Sequence, residues 1–234
     1  MSKFELVYFP FNGLALASKL MLSLGGANRK LSIPDWPTEN PINPYGKHPE
    51  LIETKQDGYE LILNERRDIE EYLAGKLGFL PKNRKQLYQC SDYVNEIFQY
   101  GEFFGRLDVD IKTGYDLEAE KKLLEKGVNT KEEIIAYKKE LEKLQFFRYF
   151  LADTTRFLCS QEKHLSQSIS GYYIGDTATY ADIAICSIYS EIKSHGLSYI
   201  FDIAKYPHVK KLIEILEPNS AVGAVIKTQT FALN

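Results

Sequence analysis

Residues 3–33 read KFELVYFPFNGLALASKLMLSLGGANRKLSI. Phe4 to Phe9 is a compact apolar and aromatic run, closed by Pro10 and the Asn12-Gly13 turn signal, which is the pattern of a buried strand. Leu14 to Leu24 is helical in composition and stops at Gly25-Gly26, where a left-handed C-terminal cap belongs. Lys30 to Ile33 makes a second short strand, ended by Pro34. Beyond a loop rich in proline and asparagine, from Asp35 to Pro49, the segments Glu50–Thr54 and Tyr59–Leu63 flank Asp57-Gly58 and read as a hairpin. Arg66 to Leu77 is a helix with Ile69, Tyr72, Leu73 and Leu77 on one face. Strand, helix, strand, loop, hairpin, helix is an order that suits a small sheet covered by helices.

After Phe79-Leu80-Pro81-Lys82-Asn83 the character changes and no convincing strand appears. Gln86 to about Asp110, Lys131 to about Ser160, Thr179 to His195 and Pro207 to Leu216 all look helical. Thr130 with Glu133, and Thr179 with Asp182, have capping-box-like spacing, although an aspartate is short for the return bond. The expected organisation is an α/β unit over residues 1–80 and an all-α unit over 86–234.

Composition narrows the function classes. The chain has 234 residues with 29 lysines and arginines against 32 acidic residues, a net charge of −3 that argues against nucleic acid as partner. No apolar run approaches the roughly 18 residues of a membrane span. Cys90, Cys159 and Cys186 are too sparse for a disulfide framework or a CxxC site, and Glu5 and Pro10 interrupt the first apolar stretch, which is wrong for a signal peptide. A cytoplasmic location is expected. His164, His195 and His208 are dispersed with no cysteine at ligand spacing, so no metal site is expected. Neither G-x-G-x-x-G nor G-x-x-x-x-G-K-[ST] occurs, and no nucleotide is expected.

The opening KFELVYFPFNGLALASKL, the Asp35-Trp36-Pro37 loop, the string Pro44-Tyr45-Gly46-Lys47-His48-Pro49-Glu50-Leu51 and the string Tyr173-Ile174-Gly175-Asp176-Thr177-Ala178-Thr179-Tyr180-Ala181-Asp182 together resemble the cytosolic glutathione transferases. The sigma-like branch, with its prostaglandin D synthases and S-crystallins, looks most similar. The resemblance implies a thioredoxin-like N-terminal domain followed by an all-helical C-terminal domain, a homodimer, and a cis bond before Pro49 that presents the His48 backbone to glutathione. It places Tyr8 at the catalytic position, and Trp36, Asn40, Lys47, His48, Pro49, Glu65 and Arg66 along the glutathione site. Phe9, Phe11, Phe98, Phe103 and Phe104, with Tyr100, would wall a second site suited to a small apolar electrophile or a lipid-derived ligand.

The chemistry is within reach of one side chain. A free thiol is only a few per cent ionised at neutral pH. Half-ionisation needs a shift of roughly 1.5 units, about 2 kcal/mol. One charge-assisted hydrogen bond supplies about 1.5–3 kcal/mol, so a single well-aimed phenol suffices. Tyr8 is that phenol by its place in the string; as a bare residue it reads equally as a strand-end core tyrosine. By the resemblance the Trp36 indole N–H would donate to the glycyl carboxylate of glutathione, while as a bare residue it reads as a loop anchor, and the imidazole of His48 reads as a solvent-facing group. The chain also departs from the family pattern. Arg66 replaces a serine, and either clamps the γ-glutamyl carboxylate or fills its pocket; Asn40 and Lys47 replace a lysine and a glutamine, and Asn12 an arginine. The leading expectation is an enzyme that joins glutathione to an electrophile or uses it in an isomerisation. The alternative is a non-catalytic protein of the same fold, a ligand carrier, crystallin-like or assembly module.

Overall fold

The structure, a computed structural model, describes residues 2–35, 47–111 and 150–227, with 103–111 as backbone alone. Trp36, Asn40 and the Thr130–Glu133 cap lie outside the described residues, as do the side chains of Phe103 and Phe104.

Strand β1 (Lys3–Val7) lies inside a four-stranded sheet of order β2-β1-β3-β4. It runs parallel to β2 (Arg29–Ser32), with Leu6 opposite Leu31, and antiparallel to β3 (Glu50–Thr54), with Leu6 opposite Leu51. β4 (Glu60–Leu63) completes the hairpin with β3. A parallel pair needs a crossover. Here it is a short 3-10 turn, Gly13–Ala15, running into α1 (Leu16–Leu24). α2 (Arg66–Leu77) follows the hairpin and ends at Gly78, whose φ of 85° is the left-handed cap that glycine adopts without penalty. This mixed sheet with its helices is the small covered sheet that the element order suggests and the thioredoxin-like arrangement that the resemblance implies.

The rest is helical: α3 (Arg84–Ile111), α4 described over 150–166, α5 (Tyr180–Ser194), α6 (Pro207–Leu216) and α7 (Ser220–Ile226). α6 shows its register plainly, with Val209, Leu212, Ile213 and Leu216 buried along one stripe and Pro207 in its first turn. α5 is buried almost throughout because α1, α2, α3 and α6 all pack on it. Its start is the Thr179–Asp182 box: the backbone N–H and the hydroxyl of Thr179 donate to Asp182 Oδ2 at 2.7 and 2.6 Å, so the shorter acid does reach. Asp182 Oδ1 accepts the Tyr173 N–H as well, tying the preceding loop to the helix. α7 has no counterpart in the sequence reading; Asn219 caps it through the Ala221 N–H.

α1 sits at the centre. It touches α2, α5 and α7, and every residue from Leu16 to Leu22 is buried, Lys19 included. The two parts of the chain also meet through polar groups, since the Tyr180 N–H donates to Phe79 O at 2.9 Å. No helix among the described residues is long and apolar enough to cross a membrane.

Candidate functional site

Tyr8 follows directly on β1, and its N–H still donates to Ser32 O as if the strand continued. The chain then turns through Pro10, Phe11 and Asn12 and enters α1 by the 3-10 turn. Gly13 in that turn has φ 41°, and a Cβ there would stand 2.8 Å from the Tyr8 hydroxyl and 2.8 Å from the Phe11 ring. The missing side chain at residue 13 is therefore what lets the phenol reach the turn. There its oxygen accepts the Leu14 N–H at 3.1 Å. This places Tyr8 Oη at the N-terminal approach to α1, where amides point outward and negative charge is favoured.

The ring is buried, and Phe9 and Phe11 stack on each other and stand edge-on to it, each with its centroid 5.4 Å away. Burial raises the phenol above its ordinary value; the Leu14 N–H lowers it, Glu191 raises it and Arg66 lowers it. At neutral pH Tyr8 is thus a hydroxyl. Its oxygen has accepted one bond, and among the described residues its proton has no acceptor.

Across the sheet edge the His48–Pro49 peptide is cis, as the resemblance implies. The His48 ring is half-buried with its edge toward Phe9, at 5.8 Å, rather than facing solvent. Lys47 pairs with Glu65 at 3.1 Å, both well exposed, a geometry worth little in isolation. Asn64 bridges the same loop to β3 by donating to Glu50 Oε2 at 2.9 Å. A cleft of about 420 Å³ opens between Leu14 at the start of α1, Glu65 and Arg66 at the start of α2, and Asn95, Phe98 and Gln99 on α3.

The family model of the glutathione S-transferase C-terminal domain matches residues 121–228. Glutathione S-transferase 1 of Ascaris suum is 26% identical over 229 residues, which covers 91% of this chain and 96% of that one. A monomeric glutathione S-transferase of the hookworm Necator americanus superposes with a TM-score of 0.71 at 23% identity, covering 99% of this chain and 100% of the other. A glutathione transferase family member of Pseudomonas fluorescens, with two glutathione molecules bound, gives 0.72 at 18% identity, over 95% and 92% of the two chains. Residues 121–228 thus carry the glutathione S-transferase C-terminal domain, and the chain as a whole is similar to glutathione S-transferases in sequence and shares their fold.

Arg66, expected either to clamp a carboxylate or to fill its pocket, lines the cleft and is tied to two neighbours. Its Nε donates to Glu70 Oε1 at 2.8 Å, and its guanidinium lies over the Phe98 ring, 4.5 Å from the centroid. Glu70 is fully buried, and its other oxygen accepts the Tyr180 hydroxyl at 2.9 Å. Arg66 is therefore one end of a polar bridge between α2 and α5 and at the same time part of the cleft wall. Phe98 does line the cleft, but one face of its ring carries a cation rather than open apolar surface. Tyr100 is not a wall residue. It stacks on Phe157 at 4.2 Å and bonds Thr154 at 3.0 Å, on the helix side that faces the core.

Sequence reasoning passed over Lys19. It stands in the apolar run LASKLMLSL, where a single lysine reads as the solvated edge of an amphipathic helix. In the fold it is 9% exposed and points back beneath the Tyr8 turn. Its Nζ donates to Phe11 O at 2.7 Å and to Asn12 Oδ1 at 3.1 Å. Only the glycine-bearing turn upstream of the helix hints at an unpaired carbonyl that a cation could meet.

Proposed function

We propose that this chain is a glutathione transferase in which Tyr8 serves the thiol of glutathione. The observation that carries the reading is the Tyr8 hydroxyl: buried, un-ionised, its lone pair engaged by Leu14 and its proton uncommitted among the described residues. Such a group donates to sulfur and favours its ionised form over the thiol. Glutathione would supply the nucleophile. By the resemblance, the His48 backbone beside cis-Pro49 would pair with the cysteinyl part of glutathione, and Glu65 with the first amides of α2 would meet its γ-glutamyl end. Trp36 and Asn40 we assign to the glycyl end from the resemblance alone. To the about 420 Å³ cleft beside Leu14 and Phe98 we assign, from the resemblance, a small apolar electrophile or a lipid-derived ligand; Phe9 and Phe11 pack at Tyr8 and are not among the residues that line the cleft. Cys90, Cys159 and Cys186 are all free thiols, which supports a cytoplasmic setting. The relative described as monomeric leaves homodimerisation as an expectation from the resemblance.

A second reading, a carrier without catalysis, draws on Arg66, whose Nε is engaged by Glu70. Calorimetric titration with reduced glutathione, followed by turnover of a generic electrophile by the wild type and Tyr8→Phe, separates the two. The transferase reading expects saturable binding, and a loss of turnover of about tenfold or more in Tyr8→Phe with binding nearly unchanged. Turnover that is equal in both proteins removes Tyr8 from the mechanism, and no heat at several millimolar glutathione leaves the carrier.

A further inference from the structure

A buried ammonium whose oxygen partners are both neutral is an expensive thing to keep. Desolvation costs it several kcal/mol, and a methionine of similar length would fill the same space without that cost. Lys19 is such a group. Its oxygen partners are the carbonyl of Phe11 and the side-chain carbonyl of Asn12. Its remaining face looks at the Tyr8 ring, 5.6 Å from Nζ to the centroid, within the range of a cation–π attraction. Asn12 in turn donates to Val225 O at 3.2 Å and is itself 1% exposed. These bonds make one continuous brace from α7, through Asn12 and Lys19, to the backbone of the turn that carries the Leu14 N–H to the Tyr8 oxygen.

We infer that Lys19 is the positioning residue of this site: it holds the turn of Phe11, Asn12 and Gly13 down on α1 so that Leu14 meets Tyr8, and it sets a positive charge behind the phenol. The inference rests on the transferase reading for its catalytic consequence, but not for its geometry. The brace and the charge act together. Slackening the turn moves the Leu14 amide off the phenol oxygen, and removing the charge raises the cost of a sulfur anion beside the same ring. The other charged groups acting on Tyr8 are Glu191 from α5 and Arg66 from α2, of opposite sign to each other. Burial pulls Lys19 down to about 8, against an upward push from Glu191, so the cation is present at neutral pH.

The test compares wild type, Lys19→Met and Lys19→Arg. Two measurements are made: the pH profile of kcat/KM for glutathione with a generic electrophile, and hydrogen exchange at the Leu14 amide. Lys19→Met is expected to lower kcat/KM about tenfold at neutral pH, to move the ionisation seen in the profile upward, and to speed Leu14 exchange at least tenfold. Lys19→Arg is expected to restore most of each. An unchanged profile together with unchanged exchange overturns the inference, and so does a change that arginine fails to rescue. Where Lys19→Met does not fold, Asn12→Ala loads the same brace from its other end, and undisturbed Leu14 exchange there overturns it equally. If the wild type neither binds nor turns over glutathione, the functional reading fails on its own, and Leu14 exchange alone still decides whether Lys19 holds the turn.

Discussion

Replacing Glu70 by alanine tests the bridge between the two parts of the chain. The carboxylate is fully buried and takes one bond from Arg66 at 2.8 Å and one from Tyr180 at 2.9 Å. Arg66 has a 19% exposed side chain, and Tyr180 is 2% exposed, so neither recovers much hydration when the acceptor disappears. Breaking a buried ion pair from one side costs about 3–5 kcal/mol. The lost Tyr180 bond is to a charged acceptor, worth about 1.5–3 kcal/mol on its own, but the two losses share one side chain and do not add. The expected cost is about 3–5 kcal/mol, which for a chain of this size is a fall in Tm of about 6–20 °C. Urea unfolding followed by far-UV circular dichroism gives the free energy directly. A double variant, Arg66→Met with Glu70→Ala, removes the stranded cation and is expected to regain at least about 1 kcal/mol over Glu70→Ala alone. A loss below about 1 kcal/mol in Glu70→Ala, or no regain in the double variant, would show that the bridge does not carry the junction.

Gly13→Ala places a methyl 2.8 Å from both Tyr8 Oη and the Phe11 ring at φ 41°; it is expected to cost about 1–3 kcal/mol in thermal melts and to lower turnover by displacing the phenol from Leu14. Glu53 is buried, which by itself would raise its carboxyl, but Lys76, Ser2 and Tyr72 outweigh burial and hold it down at about 2. A depressed carboxylate stabilises the fold above its unfolded value near 4.5 and loses that contribution as pH falls from 4.5 towards 2, so Glu53→Gln is expected to flatten the acid limb of the stability curve across that window. Tyr100→Phe should cost about 1 kcal/mol through the lost Thr154 bond while leaving the KM of apolar electrophiles unchanged; a shifted KM would return Tyr100 to the substrate wall.

Much of the architecture was legible because it depends on neighbours in sequence. The β1 run, its Asn12-Gly13 stop, the Asp57-Gly58 hairpin and the apolar face of α2 are all short-range patterns, and each element stands within a residue or two of where its pattern puts it. Differences fall at ends: α1 begins as a 3-10 turn because residues 13–15 must fold tightly under Tyr8, and α3 starts earlier because Asn83 Oδ1 accepts the Lys85 and Gln86 amides. The site was legible only as a string around Tyr8 and Pro49. What the string could not disclose is which distant group each polar side chain meets. Arg66 on Phe98, Glu70 with Tyr180, and Asn12 with Val225 are pairings between elements that no local periodicity encodes. Tyr100 went astray for a related reason: on a long helix an aromatic residue looks the same whether its face turns to a cleft or to Phe157.

The bond from Asn12 to Val225 also sets an order on how the protein is made. At roughly 5–20 residues per second, the ribosome finishes α1 about 10–40 s before it reaches α7. Throughout that interval the segment around Tyr8 is already translated, while the carbonyl that anchors Asn12 does not yet exist. A nascent chain that has not reached Val225 therefore has the Lys19 bonds to the turn but not the anchor that ties Asn12 to α7. Completion of α7 is the event that anchors the turn after β1.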